Sequence, residues 1–131
     1  MSVIDKAKIL LGTGEGANYA DCRLNEMLTK SGEEAQLYRV MCKAEYHSIK
    51  GNKFSHYDWA MEMKWFATCY EHSKKWQAIF YPSGDGIIIE IVVLKEALLY
   101  MFQERSLDNI GAAYAADVEL LNMVVRSVKV I

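Results

Sequence analysis

The clearest pattern in the chain is YDWAMEMKW, residues 57–65, in which a large apolar side chain stands at every second position. Such alternation is typical of a β-strand with one buried face, because successive side chains of a strand point to opposite sides. On a helix, the same apolar side chains would be spread around the whole circumference. The pattern therefore predicts a strand over residues 57–65.

A partner strand is expected over residues 38–46, although residues 37–44 also fit one face of a helix. Between the two segments lies Lys50-Gly51-Asn52-Lys53, and glycine at the first central position suits a two-residue type II′ hairpin turn. Folding about this turn opposes Tyr46 and Tyr57, Ala44 and Trp59, Cys42 and Met61, Val40 and Met63, and Tyr38 and Trp65. These apolar pairs favour the hairpin over the helix.

Other segments of the chain predict a second hairpin and several helices. Residues 76–81 and 87–93 fit two strands around the turn at residues 82–86. Helices are expected at residues 2–11, 18–30, 95–105 and 112–126, and residues 127–131 fit a short strand.

Together these elements predict an α+β fold, since they combine an antiparallel sheet with helices at both ends of the chain. The expected architecture has two N-terminal helices, a four-stranded antiparallel meander, and C-terminal helices that cover one face of the sheet. The 131 residues fit one globular domain, residues 1–131. The alternative is an all-α bundle with breaks at Gly32, Gly51, Pro82 and Ser106.

Charge and cysteine content exclude several classes of protein. Fifteen basic residues against seventeen acidic ones give a net charge of −2, without the basic excess that nucleic-acid binding normally requires. Cys22, Cys42 and Cys69 form an odd set without a C-x-x-C motif, so reduced, buried thiols are expected. No apolar run is long enough to cross a membrane, and the N-terminus does not resemble a signal peptide. We expect a cytoplasmic protein without a nucleic-acid or membrane partner.

The predicted first hairpin gathers four side chains that bind metals or transfer protons. Its register places His47 opposite His56 and Glu45 opposite Asp58 on the face away from the apolar pairs. Two imidazoles and two carboxylates could bind a metal ion such as Zn²⁺ or act as a general acid and base. The alternative is an ordinary solvated face, because no H-x-x-x-H or Cys/His spacing adds to the pattern.

A second candidate is the glycine-rich loop Gly12-Thr13-Gly14-Glu15-Gly16-Ala17, which follows an apolar run and precedes a predicted helix. Backbone N–H groups of Gly12, Gly14 and Gly16 could hold a nucleotide phosphate at the helix N-terminus. No parallel β-α-β unit follows the loop, so a helix stop with a glycine loop is the alternative.

The sequence predicts a small acidic module that binds another protein, as an adaptor, a chaperone-like factor or an inhibitor. No cofactor is expected, because no cofactor motif has the structural context it needs. The alternatives are a small enzyme or metal or ligand site at the His/carboxylate patch and, less well supported, nucleotide binding at the glycine loop.

A homodimer is also expected, because the apolar segment 87–94 would be prone to aggregate as a free sheet edge. A second copy of the chain, or the C-terminal strand at residues 128–131, would cover that edge.

Overall fold

A computed structural model describes residues 33–56 and 63–131 of the chain. Six strands form one sheet: β1 (Glu34–Met41), β2 (Met63–Ala67), β3 (Ile87–Leu94), β4 (Phe102–Leu107), β5 (Gly111–Asp117) and β6 (Val125–Val130). Their order across the sheet is β4-β5-β2-β1-β3-β6, and every neighbouring pair is antiparallel. Short helices connect the strands: α1 (Lys43–His47), α2 (Tyr70–Phe80), a 3₁₀ helix (Lys95–Tyr100) and α3 (Val118–Val124).

The predicted α+β fold with a four-stranded meander is wrong, and so is the all-α alternative, because a six-stranded antiparallel sheet dominates the described chain. The two predicted N-terminal helices, at residues 2–11 and 18–30, lie outside the described residues. Residues 76–81, predicted as a strand, belong mostly to α2. In the C-terminal half, β4 and β5 occupy much of the chain that was predicted as helix.

β5 shows why helix propensity failed as a guide. Its sequence, GAAYAAD, is rich in alanine, which favours helices. In the sheet, however, Ala115 lies opposite Trp65 of β2, and Tyr114 lies opposite Phe66. Ala113, Ala115 and Ala116 are fully buried in this sheet, and such tertiary burial outweighs a propensity difference below about 1 kcal/mol per residue.

The first predicted hairpin is correct only in part. Gly51 has a φ of 63° between the mutually hydrogen-bonded Lys50 and Lys53, which confirms the tight turn. The flanking chain does not continue as the predicted ladder, because residues 43–47 form α1. β1 and β2 do pair antiparallel, but Tyr38 lies opposite Ala67 rather than Trp65. The predicted partners at residues 57–62 lie outside the described chain.

The apolar strand β3 lies inside the sheet, paired with β1 on one side and with β6 on the other. The C-terminal strand therefore covers β3, as one of the two expected arrangements for this apolar segment predicts. This arrangement removes the reason for expecting a second copy at that edge, and a homodimer stays a prediction.

Two apolar layers sandwich the sheet. On one face, Leu37 and Met41 of β1 pack with Ile91 of β3 and with Leu120 and Leu121 at α3. On the other face, Trp76 of α2 packs against Ala67 and Ala113, with Tyr38 and Val40 of β1 beside them. The two sets belong to opposite faces because Tyr38 and Val40 alternate along β1 with Leu37 and Met41. None of the helices described here has the length and apolar character needed to span a membrane.

We expect truncation of β3 to be far more costly than truncation of the exposed side of α2. Ile91→Ala removes a side chain with no exposed surface and should lower the free energy of unfolding by about 2–5 kcal/mol. Ile79→Ala removes a side chain that is 58% exposed and should change it by less than about 0.5 kcal/mol. Urea unfolding followed by circular dichroism measures both, and equal effects would contradict the central position of β3.

Candidate functional site

The sheet opens between its two middle strands. Among the described residues, β1 and β2 share one backbone pair, Tyr38 with Ala67, whereas β1 and β3 share eight. Beyond Tyr38, the Arg39 side chain enters the gap, and its Nη1 donates a hydrogen bond to the Trp65 carbonyl oxygen at 3.2 Å. A side chain therefore satisfies a backbone acceptor that a regular ladder would pair with another strand.

Arg39 is held in the gap by Glu45 of α1. The Arg39 Nε and Nη2 atoms donate to the two carboxylate oxygens of Glu45 at 2.9 and 3.0 Å, a bidentate ion pair. Lys64 of β2 donates to the same carboxylate at 3.4 Å. Arg39, Glu45 and Lys64 are only 8%, 7% and 6% exposed, so the ion pairs lie within the folded core.

The start of α1 fixes the position of Glu45. Cys42 is the N-cap of this helix, and its Sγ accepts a hydrogen bond from the Glu45 backbone N–H at 3.4 Å. Burial by itself would raise the pKa of Glu45, but hydrogen bonds from Arg39 and the charges of Arg39 and Lys64 outweigh it. The pKa of Glu45 therefore lies below its ordinary value, and the carboxylate is ionised at neutral pH.

An open cavity of about 570 Å³ lies beside this ion pair, between α2 and the sheet. Four aromatic side chains form much of its wall: Trp65, Trp76, Phe80 and Tyr81. Arg39 and Val40 of β1 also line it. The residues that line the cavity thus combine a large aromatic surface with the buried Arg39.

Two turns position the rim of this cavity. Asp108 and Asn109 have φ angles of 54° and 59° in the tight turn between β4 and β5, which places Leu107 and Asp108 at the cavity. In the turn between α2 and β3, a Cβ on Gly86 would lie 2.7 Å from Cγ of Tyr81. The absence of a side chain at position 86 therefore leaves room for the Tyr81 ring.

Tyr81 and Trp76, two of the aromatic lining residues, each carry one polar side-chain atom. Burial, followed by the nearby Cys42 and Glu45, raises the pKa of the Tyr81 hydroxyl above its ordinary value, although Arg39 acts in the opposite direction. The hydroxyl therefore keeps its proton at neutral pH. The indole Nε1 of Trp76 is buried and has no hydrogen-bond partner among the described residues.

The residues of the predicted His/carboxylate patch have different surroundings in the structure. Glu45 is buried in the ion pair, whereas His47 is exposed, with its ring 5.6 Å from that of Tyr46. His56 is exposed as well, and Asp58 lies outside the described residues. Within residues 33–56 and 63–131, no group of three or more His, Cys, Asp or Glu residues could hold a metal ion.

The other predicted site, the loop with Gly12, Gly14 and Gly16, lies outside the described residues, so nucleotide binding there stays a prediction. Sequence reasoning missed Arg39, although a signal was present. Arg39 lies between Leu37 and Met41 in an alternating apolar set, and a charge on a buried face requires a buried partner.

Comparisons of this chain with protein-family models, with curated proteins and with solved structures find no match. The geometry of the cavity and its ion pair is therefore what bears on function.

We expect Glu45→Gln to destabilise the protein in a pH-dependent way. The substitution weakens a buried ion pair and should lower the free energy of unfolding at pH 7 by at least about 2 kcal/mol. Because the pKa of Glu45 is lowered on folding, its ionisation stabilises the native state above the unfolded pKa. That stabilisation is lost as the pH falls through the folded pKa, so wild type and variant should converge in acid.

Urea unfolding at pH 7, 5 and 3.5 measures this convergence. Glu33→Gln is the matched control, because Glu33 forms a 3.4 Å ion pair with Lys95 that is largely exposed to solvent. Exposed ion pairs contribute little, so this control should resemble wild type at each pH. A difference for Glu45→Gln that does not change with pH would contradict the assigned charge state.

Proposed function

We propose that this protein binds a small molecule with a flat, apolar body in the cavity between α2 and the sheet. The observation that carries the proposal is the wall of Trp65, Trp76, Phe80 and Tyr81 around a space of about 570 Å³. Small-molecule sites in proteins typically enclose about 300–1,000 Å³ and combine apolar and aromatic walls with a few polar groups. The cavity has this size and this composition.

Aromatic walls suit a flat ligand, because ring faces and edges pack against one another at low conformational cost. Phe80 supports such binding, since this cavity-lining side chain is 57% exposed. A ligand against Phe80 would remove apolar surface from water, at about 25 cal/mol per Å² buried. This apolar contact with Phe80 would form without a metal ion or a second copy of the chain.

Docking of another protein, as an adaptor, chaperone-like factor or inhibitor, is the second candidate. One observation favours it: Ile79 and Phe80 are neighbours at the end of α2, and both are large exposed apolar residues. Exposed apolar patches commonly mark protein interfaces. The two candidates differ in their use of Ile79, because Phe80 lines the cavity and Ile79 does not.

We also propose that the protein works in a reducing compartment such as the cytosol. Cys42 and Cys69 are free thiols, and both are partly exposed. Unpaired, accessible thiols are typical of compartments in which disulfides are kept reduced.

The small-molecule proposal predicts that Phe80→Ala weakens binding and that Ile79→Ala does not. The probe is 3-phenylpropionamide, a neutral aromatic amide, for which we expect a Kd in about the millimolar range in wild type. Loss of the Phe80 ring should raise the Kd roughly threefold to tenfold, by removing part of the aromatic contact. Chemical shifts of backbone amides followed during titration give both the Kd and the site.

Ile79→Ala is a close control, since Ile79 and Phe80 are neighbours with exposures of 58% and 57%. Shifts confined to the cavity residues, with Ile79→Ala unchanged, are the expected result. The proposal is wrong if the amide fails to bind wild type, or if both substitutions weaken it equally.

A further inference from the structure

We infer that Arg39 makes the cavity specific for a ligand that carries a carboxylate beside its apolar body. This inference rests on the proposed function, because it assigns the chemical class of the molecule that the cavity would bind. It is carried by Arg39, a charged residue that is nine-tenths buried and that lines the cavity together with four aromatic residues.

The hydrogen bonds of Arg39 leave donors for a ligand. A guanidinium has five N–H groups, one on Nε and two on each terminal nitrogen. Nε and Nη2 each donate to Glu45, and Nη1 donates to the carbonyl oxygen of Trp65. One N–H on each terminal nitrogen therefore has no partner among the described residues. Two N–H groups are the number that a carboxylate accepts from arginine in a bidentate pair.

The fixed position of Arg39 lowers the cost of binding. A free arginine loses side-chain entropy when it is ordered by a ligand, at about 0.5–1.5 kcal/mol for each immobilised side chain. Glu45 and the Trp65 carbonyl already hold this guanidinium in place. The ligand would thus meet a charged donor whose geometry is set before binding.

Other groups at the cavity fit the same head group. The Tyr81 hydroxyl keeps its proton and is a further donor in the wall. Asp108 is the acidic residue of the lining; it is exposed and lies on the turn between β4 and β5. Its charge disfavours a carboxylate near that turn, so the anionic head is expected at Arg39 and the apolar body against the aromatic side chains.

The experiment compares two probes of the same shape, 3-phenylpropionate and 3-phenylpropionamide, which differ in charge at the head group. Wild type should bind the carboxylate roughly tenfold or more tightly than the amide, the gain typical of hydrogen bonds to a charged group. Titrations followed by backbone amide chemical shifts give both Kd values and show whether the two probes share the cavity.

The decisive variant is the triple substitution Arg39→Met/Glu45→Met/Lys64→Met, which replaces all three buried charges, because Lys64 shares the carboxylate of Glu45. Replacing a whole buried ion pair by apolar side chains of similar size often preserves the fold, whereas removing one partner does not. In this variant, the amide should still bind, and the Kd ratio of the two probes should fall to about one. Retained amide binding shows that the cavity is intact.

Arg39→Lys is a second variant that does not depend on the triple substitution. It keeps the charge but removes the planar fork, so the preference for the carboxylate should fall without vanishing. If wild type binds the two probes equally, Arg39 is not the anchor, although the cavity still binds aromatic molecules. A preference that persists in the triple variant also overturns the inference, and failure of the amide to bind wild type overturns the proposed function as well.

Discussion

The ion pair between Arg39 and Glu45 joins parts of the chain that backbone pairing leaves apart. It fills the gap where β1 and β2 separate, and it ties both strands to α1 through the Trp65 carbonyl and the Lys64 ammonium. Burying these charges is costly, and the cost is offset because each has a hydrogen-bonded partner of opposite charge. Loss of one partner would leave an uncompensated charge in the core, so the surrounding elements depend on the pair as a unit.

The cavity is a consequence of the same opening. Tyr38 and Ala67 are directly opposite each other in β1 and β2. If the ladder continued from this pair, Val40 and Trp65 would be opposite each other as well, in ordinary cross-strand contact. Instead, both line a space that α2 closes from the other side with Trp76 and Phe80. Arg39, whose side chain crosses the gap to the Trp65 carbonyl oxygen, is also among the residues that line this space. One interruption of the sheet thus provides the room, the aromatic wall and the charged group together.

Part of this arrangement could be predicted from sequence, wherever a local pattern determines a local structure. The β-branched run of β3, the turn at Gly51 and the C-terminal strand all follow from short-range rules, and the structure confirms them. α2 could not be found in this way, because its inward side is not an apolar stripe: Ser73 is buried beside Trp76, and the apolar end at Ile79 and Phe80 remains exposed. Glu45 was identified from sequence as a functional candidate. Its contact with Arg39 could not be predicted, because that contact depends on α1 and on the separation of β1 from β2.

Stability alone gives little reason for this chain to keep a buried cation there. Pairs of buried charges can often be replaced by apolar side chains without loss of stability, so their presence in a core needs a further explanation. The register of β1 against β3 does not need the pair, because eight backbone pairs already fix it. An apolar replacement would also take Arg39 out of the cavity lining. A buried arginine at this place is therefore what the proposed recognition of a carboxylate would require, whereas stability alone does not require it.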